Sequence, residues 1–310
     1  MRDPALPDLL GLMRAGDPGA LARLITIVEN ERPGFDSVLR AVYSAPAARN
    51  VIGFTGPPGA GKSSLINKVI RELRQRNRTV GILAVDPSSP ITGGAILGDR
   101  VRMGEHITDP GVFARSLGSR GHLGGVSRAT RRIVDLLRRS HLDIVIVETV
   151  GTGQSEVEIA KIADVKLVLN APGLGDDIQA IKAGILEIAD IMIVNKSDLP
   201  AAQSTLRHLQ MMLSLRSVNR DIPVLATSAI RDEGIPALVD AVDIVLAQKP
   251  ATQSGPDESI RTMIADYVAQ QARERLLACQ DPRLAKLGAA FIAGEIGMND
   301  LADQAIALLR

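Results

Sequence analysis

Gly56-Pro57-Pro58-Gly59-Ala60-Gly61-Lys62-Ser63 fits the pattern G-x-x-x-x-G-K-[ST], the phosphate-binding loop of P-loop proteins. The apolar run Val51–Phe54 precedes it, as a buried strand would, and apolar residues at helical spacing follow it from Ser64 to Ile70. Strand, glycine-rich loop and helix in this order are the context that the motif requires, whereas a glycine-rich turn that binds nothing needs neither flank. The stretch therefore predicts a P-loop NTPase of the α/β class.

The residue types of this loop suit a polyphosphate. Its glycines let backbone N–H groups close around phosphate oxygens, and the following helix adds partial positive charge at its N-terminus. We expect Lys62 to reach the β- and γ-phosphates as a catalytic residue and Ser63 to bind Mg²⁺. The predicted phosphate contacts are Gly56, Pro57, Pro58, Gly59, Ala60, Gly61, Lys62, Ser63 and Ser64.

A second motif indicates which base the nucleotide carries. Asn195-Lys196-Ser197-Asp198 follows the apolar run Ile191–Val194 and matches N-K-x-D, the guanine-reading motif of GTPases. A carboxylate accepts hydrogen bonds from guanine N1 and N2, and a base without those donors leaves the carboxylate unpaired. Thr227-Ser228-Ala229 follows a further apolar run and resembles a short element that touches guanine through its backbone. The predicted guanine contacts are Asn195, Lys196, Asp198, Ser228 and Ala229.

Composition bounds the class of protein. The chain has 310 residues, 45% of them hydrophobic, so a sizeable core is possible, but only 2% are aromatic. A formal charge of +1 gives no reason to expect nucleic acid or an anionic membrane as a partner. The single Cys279 excludes an internal disulfide framework, and we find no signal-peptide core or apolar span long enough to cross a bilayer. We expect a cytoplasmic protein.

Hydrophobic patterning predicts three parts. Residues 1–48 carry helical patterns and predict an N-terminal helical extension. Residues 49–250 alternate apolar runs with helices, which predicts a mostly parallel sheet covered by helices, the P-loop domain itself. The predicted strands are Val51–Phe54, Val80–Val85, Ile144–Val147, Val165–Leu169, Ile191–Val194 and Val224–Ala226. Residues 257–310 predict a helical arm whose apolar stripe either folds back on its own domain or, as we expect, forms a homodimer.

The segments between these runs resemble one family of P-loop GTPases. Glu148-Thr149-Val150-Gly151 stands where GTPases usually carry D-x-x-G, and Asp86-Pro87-Ser88-Ser89-Pro90 follows the second run. Together with Gly93–Met103, Arg120–Gly125 and Pro172–Ile185, they make the chain similar to the MeaB/ArgK family from about Leu21 to the C-terminus.

Four further residues concern the metal and the γ-phosphate. A carboxylate at a strand end can hold Mg²⁺ through water, so Glu148 is a candidate, and the Gly151 N–H can meet the γ-phosphate. The resemblance implies that Asp86 faces the Mg²⁺ and that Asp99 is a second functional acid, although either could instead cap a turn or helix. We thus expect Ser63, Asp86, Asp99 and Glu148 around the metal, and Asp86, Glu148 and Gly151 to join Lys62 in catalysis.

The resemblance also implies a partner. The family's GTPases chaperone an adenosylcobalamin-dependent acyl-CoA mutase, methylmalonyl-CoA mutase or a close relative, gating cofactor loading and protecting or reactivating the enzyme. Asp176, Gln179 and Lys182 match a segment implicated in signalling to the mutase, although Lys182 could be a solvated helix charge. The intrinsic GTPase rate would then be low and stimulated by the partner.

Two other classes of function are weighed against this one. A P-loop kinase that phosphorylates a protein or small molecule needs an acceptor pocket with a base, and no motif supplies it. A metal-insertion GTPase needs a His/Cys cluster, which four scattered histidines and one cysteine do not provide. GTP/GDP and Mg²⁺ are therefore the expected cofactors.

Overall fold

A computed structural model of the chain describes most of its length in two compact units. The described residues are 6–48, 50–86, 106, 108–118, 128–149, 159, 161–173, 187–214, 222–249 and 256–309. The first unit ends at Lys249 and the second begins at Pro250.

The first unit is built on a seven-stranded sheet in which every pair of neighbouring strands is parallel. The strands are β1 (Val51–Thr55), β2 (Val80–Asp86), β3 (Val112–Gly118), β4 (Ile144–Thr149), β5 (Val165–Asn170), β6 (Ile191–Val194) and β7 (Val224–Ala226). Their order in the sheet is β3-β2-β4-β1-β5-β6-β7. This sheet with its covering helices confirms the predicted fold class.

The described helices of the first unit cover both faces of this sheet. They are α1 (Leu6–Arg14), α2 (Pro18–Glu29), α3 (Phe35–Tyr43), α4 (Lys62–Gln75), α5 (Arg128–Leu137), α6 (Ala202–Ser214) and α7 (Ile235–Gln248). Alternation along β1 shows the two faces, because Phe54 packs in one core cluster with α4 and α7, and Val51 packs in another. The second cluster also contains Leu24 of α2 and Val38 of α3, so the N-terminal helices share a core with the sheet.

The sequence patterns missed one strand. β3 lies at the edge of the sheet beside β2, and its side chains are mostly half-buried, with Arg115 in its middle. An edge strand buries less apolar surface than a central one, so it lacks the continuous apolar run that marked the other six. All six predicted strands are present, and β3 is the one that the patterns missed.

Charged side chains close the amino edge of the sheet. Asp190, whose side chain is 0% exposed, accepts hydrogen bonds from the Lys249 Nζ at 2.7 Å and from the Lys166 backbone N–H at 2.8 Å, and the Lys166 Nζ lies 3.3 Å away. Lys249 also donates to the backbone carbonyl of Asp164, whose carboxylate accepts the Val51 N–H. Burial would raise the pKa of Asp190, but the two ammonium groups more than offset it and lower that pKa. This cluster ties the start of β1 to the last residue of the first unit.

The second unit consists of α8 (Pro256–Ala278), α9 (Pro282–Ile292) and α10 (Met298–Ala307). Asp281 caps α9 by accepting the Arg283 N–H at 2.8 Å. Large apolar side chains stay exposed on all three helices, among them Leu277 at 75% and Ile292 at 87%. None of the helices described in either unit is long and apolar enough to cross a membrane.

The buried charge cluster predicts a large stability cost for Asp190→Asn. Two ammonium groups would face a neutral amide, and breaking a buried ion pair by removing one partner costs about 3 kcal/mol. Chemical denaturation at pH 7 measures the loss. Because the folded pKa of Asp190 is lowered, its contribution is present above the unfolded aspartate pKa of about 3.9 and is lost as pH falls through the folded value.

Asp240→Asn is the matched control, since Asp240 pairs with Arg76 at 2.6 Å but its side chain is 62% exposed. An exposed pair contributes about 1 kcal/mol at most. Equal losses in the two variants would show that the Asp190 cluster contributes no more than a surface ion pair.

Candidate functional site: a phosphate loop joined to a guanine loop

The phosphate loop leaves the carboxyl end of β1, the position at which ligands bind to open parallel sheets. Gly56, Gly59 and Gly61 have φ of 145°, 79° and 86°, in the region that other residues rarely adopt. A side chain at Gly56 would collide with the carbonyl oxygen of Leu169 on β5. Glycine at these three positions therefore allows the backbone conformation of the loop, and Gly56 has no room for a side chain.

Lys62 and Ser63 form the first turn of α4. The Lys62 Nζ donates to the carbonyls of Gly56 at 2.7 Å and Pro57 at 3.1 Å, which holds the ammonium against the loop. Gly61 is the N-cap and has no side chain to bond the first backbone N–H groups. Those N–H groups and the ammonium together make this end of the helix suited to an anion.

Ser63 contacts the end of β4. Its hydroxyl donates to the Glu148 Oε1 at 2.7 Å, and Glu148 is only 6% exposed. β4 is paired with both β1 and β2, so Glu148 lies on the strand between the phosphate loop and Asp86, the last residue of β2. The structure thus brings Ser63 and Glu148, two of the predicted metal-site residues, into direct contact.

Asn195 joins the guanine loop to the phosphate loop. It is 1% exposed, its amide Nδ2 donates to the Ala60 carbonyl at 2.9 Å, and its Oδ1 accepts the Thr227 hydroxyl at 3.2 Å. A side chain at Gly61 would come within 2.6 Å of that Nδ2. Thr227 begins the element Thr227-Ser228-Ala229, but its bond to Asn195 was not predicted, and its position at a strand end is the signal that could have found it.

Asp198 is held as an ionised acceptor. The Ser228 hydroxyl donates to its Oδ1 at 2.6 Å, and this hydrogen bond lowers the pKa of the Asp198 carboxyl. Lys196, two residues earlier, has φ of 55°, a left-handed conformation, and Ala229 is buried beside Ser228. The Ser228 side chain therefore contacts the carboxylate predicted to bind guanine, whereas the prediction involved only its backbone.

Several predicted site residues lie outside this geometry. Pro58 and Gly59 lie exposed on the loop, and Ser64 lies exposed in the first turn of α4. The backbone of Asp86 is described but its side chain is not. Asp99, Gly151, Asp176, Gln179 and Lys182 fall outside the described residues.

A phosphate loop and an N-K-x-D loop joined at the carboxyl edge of a parallel sheet are the defining pair of a P-loop GTPase. Residues 21–283 match the family model described as methylmalonyl Co-A mutase-associated GTPase MeaB. The chain belongs to that family.

Relatives agree with this assignment. A putative GTPase of Pyrococcus abyssi is 46% identical over 242 residues, 76% of this chain and 75% of the relative. The GTPase ArgK of Escherichia coli is 34% identical over 288 residues, 89% of this chain and 86% of the relative. The resemblance deduced from the sequence is confirmed, and the chain is a GTPase.

The solved structure of a protein described as LAO/AO transport system kinase aligns with this chain at a TM-score of 0.68. The alignment covers 100% of this chain and 99% of that structure. At 24% identity, this likeness shows the fold alone. A kinase activity is not favoured, because the family and the relatives above are named GTPases.

The geometry around Asp198 predicts a change of base preference in Asp198→Asn. The amide can donate to the oxygen that xanthine carries where guanine has its amino group. The affinity for GDP should therefore fall at least tenfold, and the affinity for XDP should rise at least tenfold. Isothermal titration with GDP, XDP and ADP measures the three affinities. An unaltered protein that binds ADP as tightly as GDP would contradict the guanine assignment.

Proposed function

We propose that this GTPase binds an adenosylcobalamin-dependent acyl-CoA mutase and controls the loading of its cofactor, using GTP hydrolysis as the timing step. The observation that carries the proposal is the match of residues 21–283 to a family described by its association with methylmalonyl Co-A mutase. The joined phosphate and guanine loops support the nucleotide half of the proposal.

GTP binds with its guanine edge on Asp198 and its phosphates on the loop from Gly56 to Ser63. The Asp198 carboxylate accepts from guanine N1 and N2, and the ionised state that Ser228 favours is the state that accepts. Lys196 and the Ser228-Ala229 backbone complete the base pocket. Asn195 fixes the distance between the two ends of the nucleotide, because it bonds the Ala60 carbonyl of the phosphate loop.

In the proposed hydrolysis, the positive charges of the phosphate loop are in position before the reaction begins. Lys62 stabilises charge that develops on the β- and γ-phosphate oxygens, and the N-terminal N–H groups of α4 add to it. Ser63 and Glu148 supply hard oxygen donors 2.7 Å apart, a donor set that fits Mg²⁺. The ion, when bound, neutralises phosphate charge. Asp86 and Asp99 are proposed as further acids of this site, and the Gly151 N–H as a contact to the γ-phosphate.

Glu148 orients Ser63. A hydroxyl has one hydrogen to donate and lone pairs with which to accept or ligate. Because the Ser63 hydrogen points to Glu148, its lone pairs are turned away from the carboxylate and remain available to a cation. A glutamate in the place of the usual aspartate has the reach to make this contact from the end of β4.

Loss of the ammonium should abolish turnover in Lys62→Ala. The charge that offsets the transition state disappears, and we expect the steady-state GTPase rate to fall by at least 10³-fold. Lys68→Ala is the control on the same helix, since the Lys68 Nζ pairs with Asp232 at 3.0 Å and lies past the first turn. Phosphate release in Lys62→Ala near the wild-type rate would remove the phosphate-loop mechanism.

Asp176, Gln179 and Lys182 are proposed as the segment that signals to the mutase. Lys182→Ala should leave intrinsic GTP turnover near normal and weaken its stimulation by the mutase. By linkage, the variant should also show a smaller difference in mutase affinity between GDP and a non-hydrolysable GTP analogue. Turnover with and without the mutase is the measurement. Unchanged stimulation in both Lys182→Ala and Asp176→Ala would assign the segment to packing.

The C-terminal arm, α8 to α10, is proposed as the homodimer contact. Its exposed Leu277, Ile292 and Met298 leave apolar surface that a second copy could bury. Deleting residues 257–310 should give a monomer in light scattering that still binds nucleotide. A full-length protein that stays monomeric at high concentration would contradict the dimer.

A further inference from the structure

A cleft of about 600 Å³ opens on the N-terminal helical extension. The described residues that line it come from α1, α2 and the loop that joins α2 to α3. Leu9, in one wall, belongs to the core cluster on one face of the sheet, whereas Leu65 of the phosphate-loop helix α4 belongs to the cluster on the other face. The cleft is therefore separate from the phosphate and guanine loops, and its volume lies within the range of small-molecule sites, about 300–1,000 Å³.

The apolar lining of the cleft is part of the packed structure. It consists mainly of Leu6, Leu9 and Ile27. Leu9 is 7% exposed and lies in the core that α1 and α2 share with the sheet, and Leu6 and Ile27 pack half-buried against the same core. An apolar surface held in this way can receive a ligand with little cost for ordering the side chains.

The polar lining of the cleft carries positive charge. Arg23 of α2 and Arg32 of the following loop line it, and no acidic residue does so among the described residues. The Thr26 hydroxyl, which also lines the cleft, donates to the Ala22 carbonyl at 2.9 Å, so the guanidinium groups are the lining side chains that can donate to a ligand. The Arg32 backbone N–H donates to the Ile27 carbonyl at 3.0 Å, which fixes the position of this arginine at the end of α2.

The two acids that lie between these arginines in the sequence are paired elsewhere. Glu29 accepts a hydrogen bond from Arg115 of β3 at 2.8 Å, and Glu31 accepts one from Arg132 of α5 at 2.7 Å. Glu31 has φ of 46°, a left-handed conformation that is uncommon for a glutamate, and its partner Arg132 is only 6% exposed. Because both carboxylates are directed toward β3 and α5, the lining of the cleft keeps a net positive charge.

We propose that this cleft binds a small amphipathic anion, namely an organic acid with an aliphatic chain. Its carboxylate pairs with the Arg32 guanidinium, which can donate two parallel hydrogen bonds to it, and Arg23 adds positive charge. Its chain lies along Leu6, Leu9 and Ile27, where apolar surface of both partners is removed from water. The site lies outside the nucleotide machinery, so the inference goes beyond the proposed function and does not depend on it.

Isothermal titration with octanoate, octanol and acetate at neutral pH tests the proposal. Octanoate should bind, whereas octanol, which lacks the charge, and acetate, which lacks the chain, should each bind about tenfold more weakly or less. In Arg32→Gln the affinity for octanoate should fall about tenfold, and an unchanged affinity for octanol should show that the cleft is intact. Arg40→Gln is the matched control, since Arg40 is an exposed arginine of α3 that does not line the cleft. Equal affinities for octanoate and octanol, or an unchanged octanoate affinity in Arg32→Gln, would overturn the proposal.

Methyl NMR spectra locate the ligand, because an aliphatic acid can also adsorb to the exposed apolar side chains of the C-terminal arm. Octanoate should shift the methyl signals of Leu6, Leu9 and Ile27 in a saturable way and leave those of Leu277 and Ile292 in place. Saturable shifts at the arm alone, or no shifts at millimolar octanoate, would refute the cleft as the binding site.

Discussion

The hydrogen bond from Asn195 to the Ala60 carbonyl is the contact on which the whole site depends. It joins the loop after β6 to the loop after β1, although another strand, β5, lies between them in the sheet. The Asn195 N–H donates in turn to the Asn170 carbonyl at the end of β5. Three strand ends are thereby fixed together, so the distance between the phosphate loop and the N-K-x-D loop is set by the sheet and not by flexible loops.

The two edges of the sheet serve different purposes. At the amino edge, charge is neutralised inside the protein, as Asp190 meets Lys166 and Lys249. At the carboxyl edge, the first backbone N–H groups of α4, which follow the N-cap Gly61, and the ammonium of Lys62 suit an anion from outside the protein. Charged residues thus stabilise the fold at the amino edge and are placed to suit a ligand at the carboxyl edge, and the parallel direction of the strands keeps the two groups apart.

The sequence predicted well what depends on short-range pattern. The glycine loop, six of the strands and the N-K-x-D loop each occupy a few consecutive residues with a fixed physical signature. It could not predict the Ser63–Glu148 contact, since those residues are 85 positions apart and only the pairing of β1 with β4 brings them together. The Asp190 cluster and the Thr227–Asn195 bond were missed for the same reason, and β3 because an edge strand has a weak apolar pattern.

A rigid frame limits where a nucleotide-dependent signal can begin. The proposed base end is held by Asn195, Thr227 and Ser228, whose hydrogen bonds lie within the protein. GTP and GDP differ only at the γ-phosphate, and Lys62, Ser63 and Glu148 are the described side chains proposed to lie near it. Lys62 and Ser63 begin α4, whereas Glu148 lies on β4, two strands from the sheet edge formed by β3. In the proposed mechanism, the Glu148 carboxylate therefore connects the γ-phosphate directly to a strand of the sheet outside the phosphate loop.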